Sequence, residues 1–212
     1  MSGAETIATA RIGTVRLERG LWWRVYSSAR GPGAFNASGG GNARFSPISD
    51  ASGSTIPTMY LGATPAVALM ETVLHDCPSP SSGYILTLPN AKEESRRMAC
   101  LAILEPVVLA DFSAIGLRRI GLTKADVVDS GKSAYPHSRD IAKQVYQSRQ
   151  DIQGIQWTSR QDDRSSALVL FGSRIKRHSL SVWHEDQAIH DGMVLDELVA
   201  LLDKLDAGLT FF

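Results

Sequence analysis

Asn42-Ala43-Arg44-Phe45-Ser46-Pro47-Ile48, then Pro57-Thr58-Met59-Tyr60-Leu61-Gly62, then Ala68-Leu69-Met70-Glu71-Thr72 is the run whose reading decides the fold. It sets an arginine at the close of a loop, a tyrosine on a strand and a glutamate on a helix. Ile56 to Leu61 is apolar and β-prone and reads as a strand. Thr64-Pro65 marks a helix start, with Thr64 as N-cap and Pro65 at the first helical position, where its missing N–H does no harm. Ala66, Leu69, Met70 and Val73 then share one apolar face. At about 100° per residue, Glu71 falls beside Val67 and Leu74, on the edge of that stripe. Its carboxylate should be half-buried. Cys77-Pro78-Ser79-Pro80 should end the helix.

Working outward, Leu21-Trp22-Trp23-Arg24-Val25-Tyr26 is aromatic and reads as a first strand. Residues 1–15 are expected to be a flexible leader, leaving 16–212 as a single domain. Residues 27–43, with Gly39-Gly40-Gly41, form a loop of a length associated with function or mobility. Further strands are expected at Tyr84–Leu88, Leu101–Leu104, Pro106–Ala110, Gly154–Trp157, Ala167–Phe171 and Ser179–Trp183. Helices are expected at Thr123–Val128, His137–Arg149 and Met193–Leu205. The last carries Val194, Leu195, Leu198, Leu201, Leu202 and Leu205 on one broad face and should pack on the sheet. Short strands mixed irregularly with helices predict an α+β fold rather than a doubly wound sheet.

Composition narrows the function. A 212-residue chain buries enough surface to fold without disulfide or metal. Lysine plus arginine equals aspartate plus glutamate, at 22 each, and no charge run stands out. A nucleic-acid groove is therefore not expected. Cys77 and Cys100 lack metal-ligand spacing and read as reduced thiols of a cytoplasmic protein. No signal peptide and no membrane span are expected. Gly31-Pro32-Gly33 lacks the rest of a dinucleotide fingerprint, and His184-Glu185 lacks a second histidine at zincin spacing. The five histidines read as surface or satisfied core residues. An enzyme built this way should need neither metal nor nucleophilic triad.

The candidate site residues are Arg24, Arg44, Tyr60, Glu71 and Ser159. Arg24 and Arg44 flank the glycine-rich loop. Converging guanidinium forks suit a pyrophosphate; the alternative, favoured by spacing alone, is two cations stacked on aromatics such as Trp22 or Phe45. Tyr60 can stack on a planar ring or serve as a core tyrosine. Glu71 is either a ligand carboxylate or a solvated helix residue. Ser159 ends a strand and can reach a ribose hydroxyl or cap a turn.

These residues resemble the RES domain, named for an arginine, a glutamate and a serine. The matching blocks are Trp23-Arg24-Val25-Tyr26, Ala43-Arg44-Phe45-Ser46-Pro47, Met59-Tyr60-Leu61-Gly62, Ala68-Leu69-Met70-Glu71-Thr72 and Gly154-Ile155-Gln156-Trp157-Thr158-Ser159. The resemblance covers roughly residues 20–175. Trp157 stands where the family often has tyrosine. The resemblance implies an ADP-ribosyltransferase-like mixed β core with flanking helices and NAD+ as substrate. It implies a toxin that cleaves the nicotinamide–ribose bond, passing ADP-ribose to phosphate or water. It also implies a cognate helix-turn-helix antitoxin partner, with homo-oligomers possible inside that complex. Glu71, Arg24 and Ser159 would be catalytic; Arg24, Arg44, Tyr60 and Ser159 would hold NAD+. A protein-directed ADP-ribosyltransferase is the alternative within the family, and a non-enzymatic binding partner the alternative outside it.

Overall fold

The aromatic run near the N-terminus forms a central strand, as its side chains favour a pleated, half-buried surface. The computed structural model describes residues 6–78, 81–88, 96–160 and 162–212, without the side chains of Glu185 and Asp186. Residues 1–5 of the expected leader and Ser79-Pro80 of the expected helix stop lie outside the described residues.

The elements run β1 (Thr14–Leu17), β2 (Gly20–Ser27), β3 (Thr58–Gly62), α1 (Pro65–Met70), β4 (Ile85–Leu88), β5 (Arg96–Ile103), β6 (Val107–Asp111), α2 (Ala114–Arg119), α3 (Lys124–Val127), α4 (Tyr135–Ser148), β7 (Gly154–Thr158), β8 (Ser166–Phe171), β9 (Leu180–Ala188), α5 (Gly192–Lys204) and β10 (Gly208–Phe211). Eight strands make one sheet in the order β1-β6-β7-β8-β3-β2-β5-β9. The β6–β7 pair is parallel and the other neighbours antiparallel. β10 and β4 form a separate parallel pair. The chain is a single α+β domain, a mixed sheet with flanking helices.

Strand registers assign the two faces of the sheet, because residues directly opposite on neighbouring strands point the same way. Met59, Leu61, Trp22, Leu101, Leu168 and Leu170 share one face and one apolar cluster. The other face carries two clusters side by side. One packs Ile155, Trp157 and Val169 against Ile141, Ala142 and Val145 of α4. The other packs Val25 and Met98 against Leu69 of α1 and Val194, Leu198, Leu201 and Leu202 of α5. The C-terminal helix thus lies on the sheet through most of the face read from its sequence, with Leu195 outside the buried set.

Several elements differ from expectation. α1 stops at Met70 instead of running to Cys77. The Leu69 carbonyl accepts from the N–H groups of Thr72, Val73 and Leu74, at 3.2, 2.7 and 3.0 Å, and so closes the helix in tight turns. The range expected as a leader contributes buried Ile7 and Ile12 and the first half of an edge strand, β1. The Ile7 N–H donates to Gln144 Oε1 at 3.0 Å, which ties this segment to α4. β5 and β9 extend beyond their apolar stretches because ladder pairing with each other continues through polar residues such as Arg97. Short α2, capped by Ser113, and β10 at the C-terminus carry too few periodic residues to stand out.

Candidate active site

A cavity of about 350 Å³ opens between the two clusters. Its floor is one cross-strand row: Trp157 opposes Ala167, Ala167 opposes Gly62, and Gly62 opposes Trp23. Two large rings flank two residues with almost no side chain, so the row is a trough. Gly62 is required there, because a Cβ would lie 2.6 Å from the Ala68 backbone nitrogen. Its absence lets α1 sit directly on the sheet and brings the end of that helix to the cavity.

Glu71 caps the C-terminal end of α1 and lines the cavity, half-buried as its helical position predicts. Its Oε1 accepts from the Ser159 hydroxyl at 2.7 Å and from the Arg160 N–H at 3.1 Å. Two donors on one oxygen fix the direction of the carboxylate. Ser159 is fully buried, just past the end of β7. Its hydroxyl donates to Glu71 Oε1 and accepts from the Asp162 N–H at 3.3 Å.

Arg44 lines the same cavity and is 5% exposed. Its Nη1 donates to the Val127 carbonyl at 2.6 Å and to the Ser130 carbonyl and hydroxyl at 3.0 and 3.1 Å. Its Nη2 is buried and has no hydrogen-bond partner among the described residues. One arm therefore anchors the guanidinium and the other remains open to an acceptor. Burial lowers its pKa, and neighbouring Tyr135 and Glu71 oppose that shift. The guanidinium carbon lies 5.0 Å from the Tyr135 ring centre, so stacking and anion binding, which spacing left as alternatives, are both available to it.

Tyr60 also lines the cavity. Its hydroxyl accepts from the Phe45 N–H at 3.0 Å and lies 3.2 Å from the Ser46 hydroxyl. Burial pushes its pKa up to about 12, which keeps the phenol neutral. The Arg44 loop is thus tied to β3 through the tyrosine that follows it.

Arg24 does not join this group. Trp23 and Val25 line the cavity, so strand alternation turns Arg24 to the opposite face. There it is 5% exposed, donates from Nη1 to the Pro32 carbonyl at 2.7 Å, and lies 5.2 Å from the Tyr26 ring centre. Burial lowers its pKa to about 10. It anchors the loop after β2, on the far side of the sheet from Glu71.

The cavity also gathers residues that sequence reading passed over. His75 lies four residues after Glu71, and its Nε2 is hydrogen-bonded to the Tyr135 hydroxyl. Burial lowers the His75 pKa and raises that of Tyr135. Lys132 Nζ donates to Asp76 Oδ2 at 2.6 Å at the rim. These two contacts join the α1 side of the cavity to the α4 side. The spacing of Glu71 and His75 was a usable signal; their partners come from distant sequence and gave none. Among the described residues no cluster of His, Cys, Asp and Glu could hold a metal ion, and no helix is long and apolar enough to cross a membrane.

The fold and this cavity define a single-domain α+β protein whose carboxylate, buried arginine and aromatic walls can receive an anionic ligand with a planar ring. The RES domain model matches residues 6–190, and the chain belongs to the RES domain family. The fold is similar to that in the crystal structure of the M. tuberculosis MbcT-MbcA toxin-antitoxin complex, with 17% identity, a TM-score of 0.57 and coverage of 93% of both chains. No curated protein matches the chain.

Proposed function

We propose that this protein cleaves the nicotinamide–ribose bond of NAD+ and transfers ADP-ribose to phosphate or water. The observation that carries the reading is the Glu71 carboxylate, held by Ser159 and Arg160 in the cavity that Arg44 also lines. Family membership supports the same substrate.

The chemistry follows from these groups. The C1′–N bond breaks and its electron pair passes to the pyridinium nitrogen, so nicotinamide leaves neutral and needs no proton. Positive charge develops on the ribose. A fixed carboxylate in a partly buried site stabilises that charge without reorganising. Arg44 offers its open Nη2 to a phosphate oxygen of the pyrophosphate and so places the ribose beside Glu71. Neutral Tyr60 packs against the substrate instead of repelling its phosphates. The acceptor oxygen then bonds to C1′, and where the acceptor is water it releases its proton to solvent. Ser159 is a positioning residue in this scheme, and Arg24 a scaffold residue.

In the cell the protein would act as a cytoplasmic toxin that depletes NAD+, neutralised by a cognate helix-turn-helix antitoxin that covers the cavity. The neighbouring fold was solved as a toxin–antitoxin complex, which supports a partner of that kind. Homo-oligomers would form within such a complex.

The test is product analysis by mass after incubating partner-free protein with NAD+, with and without phosphate. ADP-ribose 1″-phosphate appearing only with phosphate identifies a phosphorylase; ADP-ribose in both identifies a glycohydrolase. Intact NAD+ in both, or a Glu71→Gln variant that is folded and fully active, overturns the proposal. Label transfer to a polypeptide would move the protein-directed alternative ahead.

A further inference from the structure

Trp157 is 3% exposed and lines the cavity, yet its indole Nε1 is buried with no hydrogen-bond partner among the described residues. Buried donors are almost always paired, and an indole N–H can only donate. The ring cannot swing away to find a partner. It packs on Phe45 at 5.0 Å and 60°, and on Tyr60 at 6.2 Å and 72°. A rigid, unpaired donor on a residue that lines the cavity is a place for a ligand acceptor.

We infer that the Trp157 indole N–H donates to the carboxamide oxygen of the nicotinamide leaving group and sets specificity for it. The inference rests on the reading of the cavity as an NAD+-cleaving site. Three observations select this acceptor. First, Trp157 and Ser159 lie two residues apart along one strand direction, about 6–7 Å. Ser159 fixes Glu71, which stabilises the ribose, so the group beside Trp157 is the one bonded to that ribose. Second, the nearby walls are flat rings, Tyr60 on one side and Trp23 across the floor row, and a planar pyridine stacks against such rings. Third, the other buried donor of the cavity without a partner among the described residues, Arg44 Nη2, is cationic and suits phosphate, whereas a neutral indole suits a neutral carbonyl.

The contact also favours reaction over mere binding. In NAD+ the pyridinium ring withdraws electron density from the carboxamide. When the C1′–N bond breaks, its electron pair returns to the ring nitrogen and the carboxamide oxygen becomes a better acceptor. A donor at that oxygen is therefore worth more in the transition state than in the ground state.

The experiment compares wild type with Trp157→Phe, which keeps a ring and removes the N–H. Turnover is measured on NAD+, on its acetylpyridine analogue, which keeps the carbonyl, and on the pyridine analogue, which has none. The wild-type to variant ratio of kcat/KM is expected to be about tenfold on the first two substrates and to collapse toward one on the third. An equal ratio on all three would mean that Trp157 serves only packing, and the inference falls. If wild type cleaves none of the three, the reading of the whole cavity fails instead. Should the variant not fold, the wild-type indole N–H resonances decide: one shifting downfield with nicotinamide but not with methylpyridine supports the contact, and no such difference overturns it.

Discussion

Ser159→Ala separates a residue that touches substrate from one that aims Glu71. The substitution removes the donor to Glu71 Oε1 at 2.7 Å and leaves the Arg160 N–H at 3.1 Å in place. A hydrogen bond to a charged group contributes about 1.5–3 kcal/mol. If that stabilisation is felt only as charge develops on the ribose, the loss in kcat is about 10- to 150-fold, at roughly 1.4 kcal/mol per tenfold. The surviving Arg160 contact places the expectation at the lower end, about 10- to 30-fold. Stability should fall by only about 1 kcal/mol, since the Asp162 N–H that loses its acceptor is near solvent. The assay is NAD+ turnover at saturating and limiting substrate, beside a thermal melt. An unchanged kcat with a raised KM would show Ser159 binding substrate directly. In the cycle with Glu71→Gln, the serine should matter little once the carboxylate is gone. Full additivity would refute the positioning argument.

Other outcomes follow from the same geometry. Arg44→Ala should abolish turnover and also lower the melting temperature, because Nη1 holds the Val127 and Ser130 carbonyls of the α3–α4 connection; a melt alone separates the two effects. Arg24→Met should cost about 1–3 kcal/mol of stability, read in denaturant, while folded protein turns over NAD+ normally; loss of turnover without loss of stability would contradict its place on the far face. Gly62→Val should displace α1, destabilise by about 1–3 kcal/mol and reduce turnover, whereas a neutral effect in both assays would deny the close packing of α1 on the floor. Burial holds His75 below its ordinary value of 6.5, so the unfolded chain takes up that proton first and stability falls as pH drops through this range. Glu71 and Asp76 soften the effect, and His75→Gln should flatten the acid limb of a melting-temperature profile.

The parts of the site that the sequence made legible are those built locally. The Thr64 cap, whose side chain accepts from the Val67 N–H at 3.1 Å, and the helical phase of Glu71 follow from adjacent residues. So does the closeness of Arg44, Tyr60 and Glu71. The face of Arg24 was illegible because β2 is buried on both sides, and a strand without polar alternation does not declare which face is which. Ser159 was found by its place in a motif, but its role depends on a contact made across 88 residues. Tyr135 and Lys132 reach the cavity from another quarter of the chain and carry no pattern of their own. The parallel pairing of β10 with β4 is equally non-local.

The trough that separates two apolar clusters on one face also has a bearing on how such a protein diverges. Each flank has its own internal contacts, so a change of side-chain size under α4 or under α5 is absorbed largely on its own bank. Such changes re-space the walls by fractions of an ångström and leave the floor untouched. The floor has no such freedom, because four strands must keep one register for Trp157, Ala167, Gly62 and Trp23 to line up. Drift is therefore channelled into the width of the cleft, and selectivity for ligands of different girth can change while the arrangement beneath them stays the same.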